Sequence, residues 1–163
     1  MNKQDTFTQL YRQYGPGIRK LCLGYTGDAA KADDLLQDTF MAVWNHLENF
    51  RGEAKWSTWI YRIAVNTCLV NLRKQKMQFV SDQDTVLHQL AEERSDTEQQ
   101  VQLLYKSISQ LRESDRVIIM LVLEDKPYAE IAEIIGITEA NLRVKIHRIK
   151  KELTEIYQRH ERL

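Results

Sequence analysis

The sequence predicts an all-α protein: two small helical domains joined by a flexible linker. Apolar residues recur at three- and four-residue spacing along most of its 163 residues, and no stretch shows the alternating β-branched pattern of a strand. Only two prolines interrupt the chain. One polar, acidic stretch of weak periodicity, residues 80–96, divides it. The expected organisation is a three-helix domain over 1–78, an acidic linker over 79–100 and a helix-turn-helix domain over 101–163.

Seven candidate helices follow in order, near 5–24, 28–49, 54–76, 96–111, 113–125, 128–135 and 139–159. The second has an apolar seam of Leu36, Phe40, Val43 and Leu47. Its other side presents Asp34, Asp38, Met41 and Asn45, flanked by Gln37. Periodicity alone fits an ordinary solvated face. An acidic face with an unburied methionine and amides also suits docking on a basic protein surface.

The third helix carries two stripes. Trp56, Trp59, Ile60, Ile63, Thr67 and Val70 are its expected packing face, and the tryptophans are read as core. Lys55, Arg62, Asn66 and Arg73 align beside it, a row suited to phosphates and base edges together. Just before it, in Phe50-Arg51-Gly52-Glu53-Ala54, Gly52 permits an unusual backbone turn. Such a loop can receive an unstacked base, because single strands are read by splaying bases into pockets or onto aromatic rings.

The last two helices form a helix-turn-helix. Gly136 follows the apolar pattern Tyr128, Ile131, Ala132, Ile135 and fits a left-handed helix end. Thr138 then caps the next helix, with Glu139 near its positive end, while Pro127 suits the first turn of the preceding one. At 100° per residue, Leu142, Ile146, Ile149 and Leu153 fall in one narrow stripe. Arg143, Val144, His147, Arg148 and Lys151 fall opposite. That second face is basic and hydrogen-bonding, of the kind that enters a DNA major groove.

Composition narrows the function classes. The chain is 43% hydrophobic and 28% charged, with no long apolar run and no signal-peptide core, so a cytoplasmic location is expected. Cys22 and Cys68 lie in apolar helical stretches without metal-ligand spacing and are read as reduced, buried residues. The four histidines form no nucleophile or metal spacing, and there is no phosphate-binding glycine loop, so neither an enzyme nor a metal or cofactor is expected. Net charge is zero, yet its distribution is not neutral. Residues 51–76 carry six basic and one acidic side chain, 77–100 six acidic and one basic, and 138–163 seven basic and four acidic. Two positive blocks flanking a negative one fit two DNA-contacting surfaces joined by a connector that repels the same polyanion.

These residues carry a family resemblance. Asp34-Leu-Leu-Gln-Asp-Thr-Phe-Met-Ala-Val-Trp44, Phe50-Arg-Gly-Glu53 and Trp59-Ile-Tyr-Arg-Ile-Ala-Val-Asn66 resemble region 2 of the extracytoplasmic-function (ECF) sigma factors of the sigma-70 family. Asn141-Leu-Arg-Val-Lys-Ile-His-Arg148 resembles their region 4. The resemblance implies a subunit that gives bacterial RNA polymerase its promoter specificity and aids melting. It places Asp34, Gln37, Asp38 and Met41 on the β′ clamp helices of the polymerase core, with the β flap as a further contact. Phe50, Tyr61, Arg62 and Asn66, with Lys55 and Arg73 in the same stripe, would meet the −10 element. Arg143, Val144, His147 and Arg148, with Lys151, would meet the −35 element. It also implies an anti-sigma factor, often membrane-anchored in this group, without membrane insertion of this chain.

The 22-residue linker reaches about 70 Å at about 3.3 Å per residue, enough for promoter elements about 17 base pairs and roughly 58 Å apart. Unbound, the same connector would let the domains collapse together or be wrapped by an inhibitor. Two other readings fit parts of the pattern: a conventional helix-turn-helix regulator binding duplex DNA as a dimer, and an adaptor that mimics a sigma factor without initiating transcription.

Overall fold

Asn2 starts the first helix, α1 (Lys3–Thr26), by accepting the Asp5 N–H on its side chain at 2.8 Å. Gly27 ends it in the left-handed conformation, its N–H bonded to the Leu23 carbonyl. The computed structural model describes residues 2–78 and 95–162, with side chains in 72–78 outside that description. α1 runs unbroken through Gly15-Pro16-Gly17, a triplet that on local propensity should interrupt a helix. Tertiary burial overrides it: Ile18, Leu21, Cys22 and Tyr25 lie directly after the triplet in the core, and Pro16 stays at the surface.

α2 (Ala29–His46) is capped by Asp28, whose carboxylate accepts the N–H groups of Ala30 and Lys31. It buries Ala32, Leu35, Phe40 and Val43, so its seam is centred on Leu35 while the expected Leu36 is half-buried. A 3-10 turn, Leu47–Asn49, leads through Phe50 to α3 (Trp56–Gln78). Here the expected packing face is corrected. The core seam of α3 is Ile60, Tyr61, Ala64, Val65 and Cys68; Trp56, Trp59, Ile63 and Thr67 are half-buried and Val70 is exposed. The physical reason is that α3 is covered on two sides, by α1 and α2 and by the C-terminal domain, so its buried arc is wider than one stripe.

Residues 79–94 lie outside the described residues, and with them most of the expected linker. Its last part is corrected: α4 (Asp96–Ile108) starts at Asp96, where Ser95 accepts the Glu98 N–H, so 96–100 are helical. α5 (Glu113–Leu123) is the central strut of the domain, burying Val117, Ile118, Ile119, Met120 and Leu121. α6 (Tyr128–Ile135) and α7 (Glu139–Glu161) complete the helix-turn-helix. Gly136 adopts φ 86° and Thr138 accepts the Asn141 N–H, as the turn chemistry requires. Pro127 immediately precedes α6 rather than lying in its first turn, and its carbonyl accepts the Ile131 N–H. Among the described residues there is no strand, and no helix is long and apolar enough to cross a membrane.

The two helical units pack against one another, α1 on α5 and α3 on α6. Cys22 and Cys68 meet inside the N-terminal core with sulfurs 3.9 Å apart and no disulfide. A thiol–thiol hydrogen bond and burial push the Cys68 thiol far up, so that sulfur is not primed as a nucleophile.

Candidate nucleic-acid interface

α7 is positioned by its apolar stripe. Leu142, Ile146, Ile149 and Leu153 are buried against the rest of the domain, which turns Arg143, Val144, Lys145, His147 and Lys151 outward. Val144 is 71% exposed. Arg143 is held by Glu139 at 2.8 Å and lies over the Tyr128 ring, which orients its guanidinium along the helix. Arg148 differs from its neighbours. Its two terminal nitrogens donate to both oxygens of Asp115 at 3.3 and 3.4 Å, and Asp115 is only 2% exposed. The partnership clamps the recognition helix to the first turn of α5. Sequence reasoning missed it, because 33 residues separate the pair and nothing local in an apolar helix marks Asp115.

On α2, Asp34, Gln37, Asp38 and Asn45 are all exposed and Met41 is 59% exposed. Asp33, next in sequence to Asp34, points elsewhere and pairs with Arg19 of α1 at 2.8 Å. The acidic face is therefore Asp34, Gln37, Asp38 and Met41.

The α3 stripe is split by the fold. Lys55, Arg62 and Asn66 are exposed in a row, while the Arg73 side chain lies outside the described residues. Gly52 takes φ 73°, the turn expected of that loop. Phe50 is half-buried, its ring stacked on Trp56 with centroids 3.8 Å apart and Trp59 beside both. Tyr61 is buried beneath the C-terminal domain. Its hydroxyl donates to the Glu124 carboxylate at 2.6 Å, Lys126 sits 3.8 Å above its ring, and burial with that acceptor pushes its phenol well above the usual range. Ser57 and Lys126, which sequence reasoning passed over, join the same junction. Ser57 donates to Glu130 at 2.6 Å and accepts from Lys126 at 3.1 Å. Arg62 donates its Nε–H to the Glu133 carbonyl at 3.0 Å.

Glu124 titrates abnormally in this junction. Burial raises its carboxyl above the ordinary value, opposed by the Tyr61 hydrogen bond and by Lys126 and Lys20. Its second oxygen, Oε1, is buried without a hydrogen-bond partner among the described residues. A raised carboxyl means that the folded state holds its proton at higher pH than the unfolded state. The stability it contributes is present below the unfolded value and is lost as pH rises through the folded one. The expected result is that the melting temperature of the natural protein falls relative to Glu124→Gln as pH rises from about 4 to about 7. Thermal melts of both proteins across that range measure it, and a constant difference would place Glu124 in an ordinary environment.

Two patterns describe this surface: a helix-turn-helix with a basic reading face, and a helical unit with an acidic face and a polar stripe. Residues 10–77 match the family description Sigma-70 region 2, and residues 102–153 match Sigma-70, region 4. The chain belongs to the sigma-70 family. Its ECF branch is shown by relatives aligned along nearly the whole chain. The ECF RNA polymerase sigma factor SigW of Bacillus subtilis is 26% identical, covering 94% of this chain and 91% of that protein. The RNA polymerase sigma factor YlaC of the same organism is 29% identical over 94% and 92%. Among solved structures, the sigma factor RpoE in complex with the anti-sigma factor NepR from Bartonella quintana superimposes with a TM-score of 0.74. It is 21% identical and covers 94% of this chain and 97% of that one. CnrH in complex with the cytosolic domain of CnrY gives 0.71 at 20% identity, covering 95% and 89%. The protein is thus an RNA polymerase sigma factor, a subunit for promoter-specific initiation.

Proposed function

We propose that this sigma factor divides promoter recognition among three faces and works by binding alone, without catalysis. Asp34, Gln37, Asp38 and Met41 of α2 dock on the polymerase core. Phe50, Lys55, Tyr61, Arg62, Asn66 and Arg73 hold the opened −10 strand. Arg143, Val144, His147, Arg148 and Lys151 read duplex −35 DNA. The observation that carries the reading is the α3 row, where a lysine, an arginine and an amide stay exposed next to a packed aromatic loop. Removing a base from its stack costs a few kcal/mol, which a pocket and phosphate contacts offset. The domain units are residues 1–78 and 96–163, with a connector over 79–95, and the site of action is the cytoplasm. An anti-sigma factor completes the partners; both solved neighbours named above are complexes, one with NepR and one with CnrY.

The reading is tested by adding the protein to core polymerase and mapping transcripts from fragmented genomic DNA. Defined start sites that depend on the added protein support it, and their absence from every template overturns it. Asn66→Ala is expected to lower open-complex formation about tenfold while initial docking changes less than about twofold, because a flipped base is held only after melting. Permanganate reactivity of unpaired thymines measures the first and footprinting the second. Equal losses in both steps would remove Asn66 from base capture.

A further inference from the structure

The face that α7 turns outward is basic, but its centre is not. At 100° per residue, the line opposite the buried stripe of Leu142, Ile146, Ile149 and Leu153 passes within about 10° of Val144. Ala140, one turn earlier, lies within about 30° of the same line. Both are exposed, and Val144 is the most exposed large apolar side chain among the described residues. A lone surface valine is ordinary. This one sits between His147 on one side and Arg148 on the other, each within about 60° around the helix.

The cations that could cover it are drawn aside. Arg143 pairs with Glu139 at 2.8 Å and lies 5.3 Å from the centre of the Tyr128 ring on α6. Arg148 reaches Asp115 on α5 and Glu152. An apolar strip, Ala140 and Val144, is left open in the middle of a polar face. These are the second and sixth residues of α7, and a helix in the major groove brings its N-terminal residues nearest the base edges.

The base edges differ in what they offer such a strip. Guanine presents two acceptors there, cytosine a donor, and adenine one of each; thymine presents an acceptor and its C5-methyl group. Against the first three, valine displaces water from a polar group and returns no hydrogen bond. Against thymine it buries methyl on methyl.

We propose that Val144, with Ala140 beside it, selects the −35 element by packing on the C5-methyl group of a thymine beneath the centre of α7. The flanking cations supply hydrogen bonds and phosphate contacts. This rests on the assignment of the outward face of α7 to duplex −35 DNA, and it names a base that this face prefers. Deoxyuridine pairs with adenine as thymidine does and lacks only that methyl group, so it isolates the contact.

The test uses holoenzyme assembled from core polymerase and the full chain. Promoter fragments carry deoxyuridine in place of each −35 thymidine in turn, on either strand, and competition binding reads affinity. The expected result is one position where uracil weakens binding about fourfold, the effect of one buried methyl group. Val144→Ala should bind the thymine fragment about as weakly as the natural protein binds uracil, and should not distinguish the two. Alanine at this exposed position favours the helix, and circular dichroism checks that the fold is kept. Uracil tolerated at every position, or a −35 element without thymine, would overturn the proposal. A uracil effect that persists in full in Val144→Ala overturns it too, because another group or the shape of the DNA then reads the methyl. Arg143→Ala and His147→Ala separate this inference from the reading beneath it. If both leave −35 affinity unchanged, α7 does not read the element; if they weaken it while uracil does not, only thymine selection fails.

Discussion

Replacing Asp34 and Asp38 together by lysine is expected to weaken association with core polymerase about a hundredfold. Both carboxylates are exposed on one side of α2, with Gln37 and the 59% exposed Met41 alongside. Reversing two charges in a complementary interface replaces attraction by repulsion, and like charges brought together cost several kcal/mol; about 2.7 kcal/mol is a hundredfold in affinity. The fold should be indifferent. Neither carboxylate has a partner among the described residues, neither is buried, and surface substitutions of this kind change stability by about 0.5 kcal/mol or less. Asp33 supplies the contrast. It pairs with Arg19 on α1, so Asp33→Ala should leave polymerase affinity within about twofold while losing a surface ion pair that contributes about 1 kcal/mol or less. Anisotropy of the labelled proteins titrated with core polymerase measures both affinities, and thermal melts measure the stabilities. Equal effects at positions 33 and 34 would show that α2 contributes general negative charge rather than a docking face. A conventional helix-turn-helix regulator would show no effect at either.

The contrast between Asp33 and Asp34 marks how far sequence reasoning reaches. Periodicity places both on one helix, and the exposed Asp34, Gln37, Asp38 and Met41 face was legible from it. Which neighbour turns toward α1 depends on a cross-helix partner. The same limit explains α3. Its pattern reads as one apolar stripe of Trp56, Trp59, Ile60, Ile63, Thr67 and Val70, of which only Ile60 is fully in the core, beside Tyr61, Ala64, Val65 and Cys68. A helix clasped from two sides buries more than half its circumference, and periodicity assumes a single buried face. The terminus chemistry was the most legible part, because caps are local: Gly136 and Thr138 act as their residue types require. The closure of the domains was the least legible. It depends on Gly24, where a side chain would overlap Met120 of α5, and an absence of atoms leaves no pattern in hydrophobicity or charge.

Arg148, proposed above to read −35 DNA, also carries structural weight, and its replacement by alanine is expected to have two separable effects. The guanidinium straddles both oxygens of Asp115, which is 2% exposed, and also lies 3.8 Å from Glu152. Removing it leaves a buried carboxylate with only the first turn of α5 to stabilise it, a loss of about 2 kcal/mol after allowing for the solvent-exposed half of the arginine. For a protein of this length that corresponds to a fall in melting temperature of about 4–8 °C. Loss of a groove contact should also lower duplex −35 affinity about tenfold or more. Asp115→Asn separates the two roles. It releases the guanidinium while keeping the shape of the pair, so stability should fall and duplex affinity should hold or rise. His147→Ala and Lys151→Ala, on the same face and exposed, should lower affinity with little change in melting. If Asp115→Asn instead lowers duplex affinity as far as Arg148→Ala does, Arg148 acts by fixing the angle of α7 on α5 and touches no DNA. That outcome would move the −35 contacts to Arg143, Val144, His147 and Lys151, whose side chains already face solvent.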